Sequence, residues 1–136
     1  MLVKLEIYVH VFAFYFSTAF DTVRLYTMMK MATLALPDSM CNWINDFFCD
    51  RQHCTRYAGQ RSSVADITAS IIQGSGLGPA SYIFTAADLH RVMNGNRIVK
   101  FAEVTYLVVP ASNSSSRLHE INHVQIWAAD NHLTLQ

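Results

Sequence analysis

Apolar positions along the chain divide it into segments that predict strands and helices. The most regular segment, residues 96–110, carries β-branched and aromatic residues in two short arms around a tip at 102–104. This pattern is typical of a β-hairpin, and Pro110 should end its second arm. Residues 2–16 form a nearly continuous apolar run, which predicts a strand covered on both faces. Residues 55–58 and 64–72 predict a second hairpin around a polar loop.

Four other segments have the apolar spacing of helices. Ser17 or Thr18 can cap the first of them, and Asp38 or Ser39 can cap the second. A glycine-rich loop at 73–79 leads into the third, with a proline near its first turn. The order of strands and helices predicts one α+β domain, with helices on one face of an antiparallel sheet. The predicted helices cover residues 19–35, 40–50, 79–92 and 117–131.

The composition is that of a folded domain without an excess of either charge. Of the 136 residues, 51% are hydrophobic and 15% are charged, so the chain can build a core and should not be disordered. The formal net charge is zero, whereas a free-standing nucleic-acid-binding domain usually has a basic excess. The neutral balance argues against autonomous nucleic-acid binding, but not against membership of a larger binding protein.

The cysteines and the apolar beginning of the chain bear on its compartment. Cys41, Cys49 and Cys54 are an odd set without a CxxC spacing, which favours free thiols over a disulfide framework. The apolar run at 2–16 is interrupted by Glu6 and His10 and is too short to span a bilayer. We therefore expect an intracellular protein, in the cytoplasm or the nucleus, with no membrane partner.

Three segments match successive motifs of one protein family. Residues 16–23 read Phe-Ser-Thr-Ala-Phe-Asp-Thr-Val, residues 72–79 read Ile-Gln-Gly-Ser-Gly-Leu-Gly-Pro, and residues 101–107 read Phe-Ala-Glu-Val-Thr-Tyr-Leu. In the same order they resemble Asp-Phe-Ser-Lys-Ala-Phe-Asp-Thr-Val, Pro-Gln-Gly-Ser-x-Leu-Gly-Pro and Phe-Ala-Asp-Asp-Thr-Tyr-Leu. These are motifs of the reverse transcriptase domain of LINE-type, jockey-like non-LTR retrotransposons. The resemblance extends over residues 14–136.

The resemblance implies a fold and a set of partners. The expected fold is a polymerase palm, and residues 1–136 would be a palm fragment without the fingers, thumb and endonuclease. By family, its partners would be an RNA template, a DNA primer, a deoxynucleoside triphosphate and the other segments of the retrotransposon protein. The implied activity is that of an RNA-directed DNA polymerase, which is a nucleotidyltransferase.

The resemblance also places the metal site. In the family, aspartates at the end of the first strand and at the hairpin tip hold two Mg²⁺ (or Mn²⁺) ions for phosphoryl transfer. Those positions fall on Tyr15, Glu103 and Val104. Tyr15 is a neutral phenol at pH 7, Val104 has no ligand atom, and Glu103 is one methylene longer than aspartate. We therefore expect the metal not to be bound productively, and the chain to be an inactive polymerase by descent.

Four further residues are assigned to substrate binding by the resemblance: Phe16, Phe20, Gln73 and Gly74. Phe20 would lie under the sugar of the incoming nucleotide and exclude a 2′-hydroxyl. Gln73 and Gly74 would line the template and nucleotide pocket, where glycine allows close approach of the backbone. Asp21 is intact, but in the family it is not a metal ligand.

A second motif offers an alternative function. His119, Glu120 and His123 fit H-E-x-x-H on the last predicted helix, where the two histidines can bind zinc and the glutamate can act as general base. No carboxylate or histidine with the spacing of a third zincin ligand follows, so catalytic Zn²⁺ is not expected. Two alternatives to the polymerase hypothesis stay open. The chain can be a zinc-metalloprotease-like protein with this motif, or a non-catalytic remnant that binds a protein or a nucleic acid.

Overall fold

The computed structural model describes residues 8–24, 30, 36–72 and 74–136. Contacts divide the chain into two compact units, one of Met1–Ala19 with Ala86–Gln136 and one of Phe20–Thr85. Within the described ranges, no helix is long and apolar enough to cross a membrane.

The elements in chain order are β1 (Val9–Ser17), α1 (Asp38–Phe48), β2 (Gln52–His53), β3 (Arg56–Tyr57), β4 (Gln60–Arg61), β5 (Ala65–Asp66), α2 (Leu77–Thr85), β6 (Arg97–Phe101), β7 (Val104–Pro110), a 3₁₀ segment (Ala111–Ser116), α3 (Arg117–Asp130) and β8 (Thr134–Leu135).

The first unit is built on a four-stranded antiparallel sheet in the order β6-β7-β1-β8. The sheet and its helix confirm the predicted α+β class. The β6–β7 hairpin and its end at Pro110 are confirmed, and α3 ends one residue earlier than predicted. The start of the predicted first strand, residues 2–7, lies outside the described part of the chain. β8 was not predicted.

Strand alternation gives this sheet one buried and one exposed face. Phe14, Phe16, Thr105, Leu107 and Val109 are buried on the inner face, where α3 contributes Trp127, whose ring centre lies 5.5 Å from that of Phe16. Successive side chains of a strand point to opposite faces, so the residues between them lie on the other side. That outer face is apolar and open to solvent; its exposed large residues are Val9, Val11, Tyr15, Val99, Phe101 and Tyr106. An apolar face of this size favours association with other surfaces.

The second unit has a separate core of helix and loop side chains. The amphipathic helix α1 contributes Ile44 and Phe48, and these pack with Val23 and Ile71. Arg51 lies over the Phe48 ring at 4.9 Å. α1 begins two residues earlier than predicted, after Pro37, and neither Asp38 nor Ser39 caps it with a side-chain hydrogen bond.

The predicted first helix is wrong over residues 19–24, which form turns and coil. Two carbonyls that a helix would use are taken by distant amides: Phe20 O accepts from Ile71 N–H at 3.0 Å, and Val23 O from Ser70 N–H at 2.9 Å. Hydrogen bonds to residues far along the chain therefore replace the i to i+4 hydrogen bonds of a helix in this segment. The remainder of that prediction lies outside the described residues except for Lys30.

The predicted hairpin at 55–72 is present in a different register. Its turn is Ala58-Gly59, where both residues have positive φ, 49° and 77°, as a two-residue hairpin turn of this kind requires. β3 therefore pairs with β4, and β2 with β5 further from the turn. Residues 67–72 are not a strand.

The third predicted helix is shorter than expected. α2 runs from Leu77 to Thr85 rather than over 79–92. The carbonyls of Ala86 and Leu89 accept hydrogen bonds from Lys100 Nζ at 2.6 and 2.9 Å. Contacts with β6 therefore hold the segment after α2 in a non-helical path.

Candidate functional site

The three positions assigned to metal ligands lie together at one end of the sheet. Tyr15 pairs directly with Val104 in the β1–β7 ladder, and Phe16 N–H donates to the Glu103 carbonyl at 2.9 Å. Val104 also pairs with Phe101, so it belongs to β7 and not to the hairpin tip as predicted. The turn itself is formed by Ala102 and Glu103.

The side chains at this end do not fit a two-magnesium centre. Tyr15 is 43% exposed on the open face of the sheet, and Glu103 and Val104 are half-buried. Among the three, only Glu103 carries a carboxylate, whereas magnesium sites are built from several oxygen ligands. Over the residues that the structure describes, no three His, Cys, Asp or Glu side chains are grouped so that they can hold a metal ion.

Phe16 lies in the core and not at a substrate site. Its side chain is 1% exposed and meets Trp127 in an edge-to-face contact. In this position the side chain has almost no surface for a substrate, and its assignment to substrate binding stays a prediction.

A separate cleft in the second unit contains two of the other predicted substrate residues. The cleft has a volume of ≈ 320 Å³ and is mainly apolar. Gly74 adopts a φ of +81° that L-residues rarely take, and Ser75 Oγ is buried without a hydrogen-bond partner. Gln73 lies outside the described residues. The cleft is lined by Phe20, Ile71, Ile72, Gly74, Ser75, Gly78 and Pro79.

The H-E-x-x-H motif lies on α3, as predicted, but its glutamate is not available as a general base. Glu120 is 0% exposed. Its carboxylate accepts from Val92 N–H at 3.1 Å, from Met93 N–H at 2.7 Å and from the Asn96 side-chain amide at 2.8 Å. A general base must reach the proton that it removes, and this carboxylate is enclosed by protein donors.

Glu120 instead anchors the loop before β6 to α3. Burial by itself raises the pKa of this carboxyl, but the hydrogen bonds from Met93, Asn96 and Val92, together with the nearby His123, outweigh it and hold the pKa below its ordinary value. The network continues through the Asn96 amide, which also donates to Ser116 Oγ at 2.9 Å. Sequence reasoning missed this structural role.

Gly95 closes the same loop, and replacing it tests the network. Its φ is +90°, and a Cβ there would lie 2.8 Å from Asn113 Nδ2, which donates to Asn94 O and Asn96 Oδ1. We expect Gly95→Ala to lower the free energy of unfolding by about 1–3 kcal/mol, as measured by urea denaturation. Gly76→Ala is the control, because its Cβ would meet nothing within 4 Å and its φ is not positive. It should be neutral or stabilising by up to about 1 kcal/mol, and equal losses in both variants would contradict the prediction.

No protein-family model matches the chain, and no curated protein is significantly similar to it. A relation to reverse transcriptases therefore rests on the three motifs and on the positions of the residues within them.

Proposed function

We propose that the chain is a palm-like fragment of a retrotransposon reverse transcriptase that keeps the backbone arrangement of the metal centre and has lost two of its three carboxylate ligands. The observation that carries the proposal is the convergence of Tyr15, Glu103 and Val104. The motifs select these positions from distant parts of the chain, and they meet at one end of adjacent strands. An antiparallel sheet with one open face also agrees with a palm.

The expected activity follows from the charges at this end. Two-metal phosphoryl transfer depends on carboxylates that hold the ions beside the attacking and leaving oxygens. Tyr15 and Val104 supply no negative charge at neutral pH, so the main electrostatic stabilisation of the transition state is missing. The chain is thus an RNA-directed DNA polymerase by descent and inactive as a nucleotidyltransferase.

The cleft in the second unit supports a residual interaction with nucleotides. It brings Phe20 together with Gly74, two residues that the motifs assign to the incoming nucleotide. By the motif, the Phe20 ring would pack against the sugar of the incoming nucleotide, and Phe20 is one of the residues that line this cleft. Template RNA, primer DNA and deoxynucleoside triphosphates are therefore the ligands to examine.

Restoring the carboxylates tests the proposal directly. Calorimetric titration with Mg²⁺ and Mn²⁺ should give no specific binding to the natural chain. The Tyr15→Asp, Glu103→Asp, Val104→Asp variant should bind both ions, because it places three aspartates at the end of the sheet where Tyr15 pairs with Val104 and Glu103 accepts from Phe16 N–H.

A matched control separates this site from a general gain of charge. Val11→Asp with Val108→Asp adds the same two negative charges at another directly paired position on the same face of the sheet. It should not bind either ion specifically. Binding by the control as strong as by the triple variant, or primer extension by the natural chain with Mg²⁺, would refute the proposal.

A further inference from the structure

A second cleft, in the first unit, contains three histidines that neither the polymerase motifs nor the buried glutamate uses. It has a volume of ≈ 440 Å³, and His119 and His123 contribute to it from α3. His90 faces them from the loop that follows α2. The remaining lining residues are Arg91, Val92, Asn122 and Ile126.

His90 and His123 are spaced as two ligands of one metal ion would be. Their ring centres lie 5.6 Å apart with the planes at 61°. Imidazole nitrogens bind zinc at about 2.0–2.1 Å, which puts the centres of two rings on a tetrahedral ion about 5 Å apart. The pair therefore needs little movement to share an ion.

The hydrogen bonding of His90 and His123 is compatible with such an ion. His90 Nδ1 lies 2.6 Å from the Asp88 carbonyl oxygen; when Nδ1 donates to it, Nε2 keeps its lone pair for a metal. A backbone carbonyl behind a histidine is the usual support for a metal ligand. His123 Nε2 is buried and has no hydrogen-bond partner.

His119 is the third histidine that lines the cleft. It lies one turn before His123 on α3, so the two share a side of the helix, and its own side chain is exposed. Within the described ranges no three potential ligands are grouped closely enough as they stand, so the His119 side chain has to turn toward the pair. Glu120 is excluded because its carboxylate is already bonded to Met93, Val92 and Asn96.

We propose that this cleft binds one divalent late transition-metal ion through His90, His119 and His123. Imidazole nitrogens are good ligands for Zn²⁺, Ni²⁺ and Cu²⁺, whereas Mg²⁺ prefers oxygen ligands. The ion joins the loop before β6 to α3, where it adds to the anchor that Glu120 already provides. Its role is stabilising and not catalytic, and it is independent of the proposed polymerase descent.

The test uses the full chain with Zn²⁺ and Ni²⁺ as probes. Calorimetry should show one ion bound per chain, and the ion should raise the Tm, because a ligand that binds only the folded state stabilises it. Loss of a residue that merely supports a metal ligand weakens binding about 10–100-fold, so His90→Asn, His119→Asn and His123→Asn should weaken it at least as much. His53→Asn is the control, because His53 is exposed on β2 in the other unit and should leave binding unchanged.

Two outcomes would overturn the proposal. One is the absence of specific binding to the natural chain. The other is unchanged binding by His119→Asn, which replaces an exposed side chain and so leaves the fold intact even if a substitution of the partly buried His123 does not. Circular dichroism of each variant without metal separates lost ligands from lost structure.

Discussion

Replacing Phe16 with alanine is expected to lower the free energy of unfolding by about 3–5 kcal/mol, the usual cost of removing a buried phenylalanine side chain. Phe16 is 1% exposed, and its edge-to-face contact with Trp127 adds a specific aromatic interaction to the burial of its surface. Urea denaturation of the full chain measures the loss. Tyr15 is the matched control, because it is the next residue on β1 and lies on the open face of the sheet.

Tyr15→Ala should cost clearly less, about 1 kcal/mol, since Tyr15 is 43% exposed and its removal also lowers strand propensity. The comparison decides whether Phe16 serves the core or a substrate. Similar losses in the two variants would contradict the inner and outer faces described above. If Phe16→Ala is as stable as the natural chain, Phe16 is not a core residue and its assignment to substrate binding regains support.

Glu120→Ala is expected to lose on the order of 3 kcal/mol, because it leaves buried donors on Val92, Met93 and Asn96 without an acceptor, and each such donor costs about 1–3 kcal/mol. Urea denaturation at pH 7 measures this loss. Gln125→Ala, at an exposed position on the same helix, should change stability by no more than about 0.5 kcal/mol. Equal losses of stability at the two positions would contradict the proposal that Glu120 anchors the loop before β6 to α3.

The pH dependence provides a second test of the same carboxylate. The pKa of Glu120 is lower in the folded chain than its ordinary value, so its stabilising contribution is complete above the unfolded pKa of about 4.3. It is lost as the pH falls through the folded pKa. The stability difference between the natural chain and Glu120→Gln should therefore shrink when the pH is lowered from 7 toward 3. A difference that stays constant over this range would show that the charge makes no contribution.

Elements with a strong local signal were predictable from the sequence. The β6–β7 hairpin has β-branched and aromatic residues in both arms, and Pro110 marks its end because it cannot donate to a ladder. α3 has buried Val124 and Trp127 at helical spacing. In both cases the local preference and the tertiary environment favour the same structure.

Elements decided by distant partners were not predictable. β8 has two residues and exists because Phe16 and Ser17 pair with it, and nothing in residues 134–135 alone distinguishes them from a loop. The turns at 19–24 replace a helix because Phe20 and Val23 bond to a segment that lies far along the chain.

The candidate sites divide in the same way. The motifs selected Tyr15, Glu103 and Val104. The sheet register pairs Tyr15 with Val104, and a backbone hydrogen bond from Phe16 holds Glu103 at the same end of the sheet. The sequence could not indicate that Glu120 is buried, because an acidic residue on a helix has the same pattern whether it faces solvent or a cluster of amide donors. The pairing of His90 with His123 was equally hidden, since it depends on the path of the loop after α2.

The order of synthesis has a consequence for the sheet. Ser17 on β1 and its partner Thr134 are separated by 117 positions, and the whole of the second unit lies between β1 and its other partner, β7. On the ribosome β1 therefore emerges long before either neighbouring strand, with apolar side chains on both of its faces. Contacts between residues so far apart in the sequence slow folding. Until its partner strands have been synthesised, the unpaired apolar strand β1 is prone to aggregate. The second unit closes its contacts within Phe20–Thr85 and can fold first, so the yield of native chain depends on how long nascent β1 is kept from other chains.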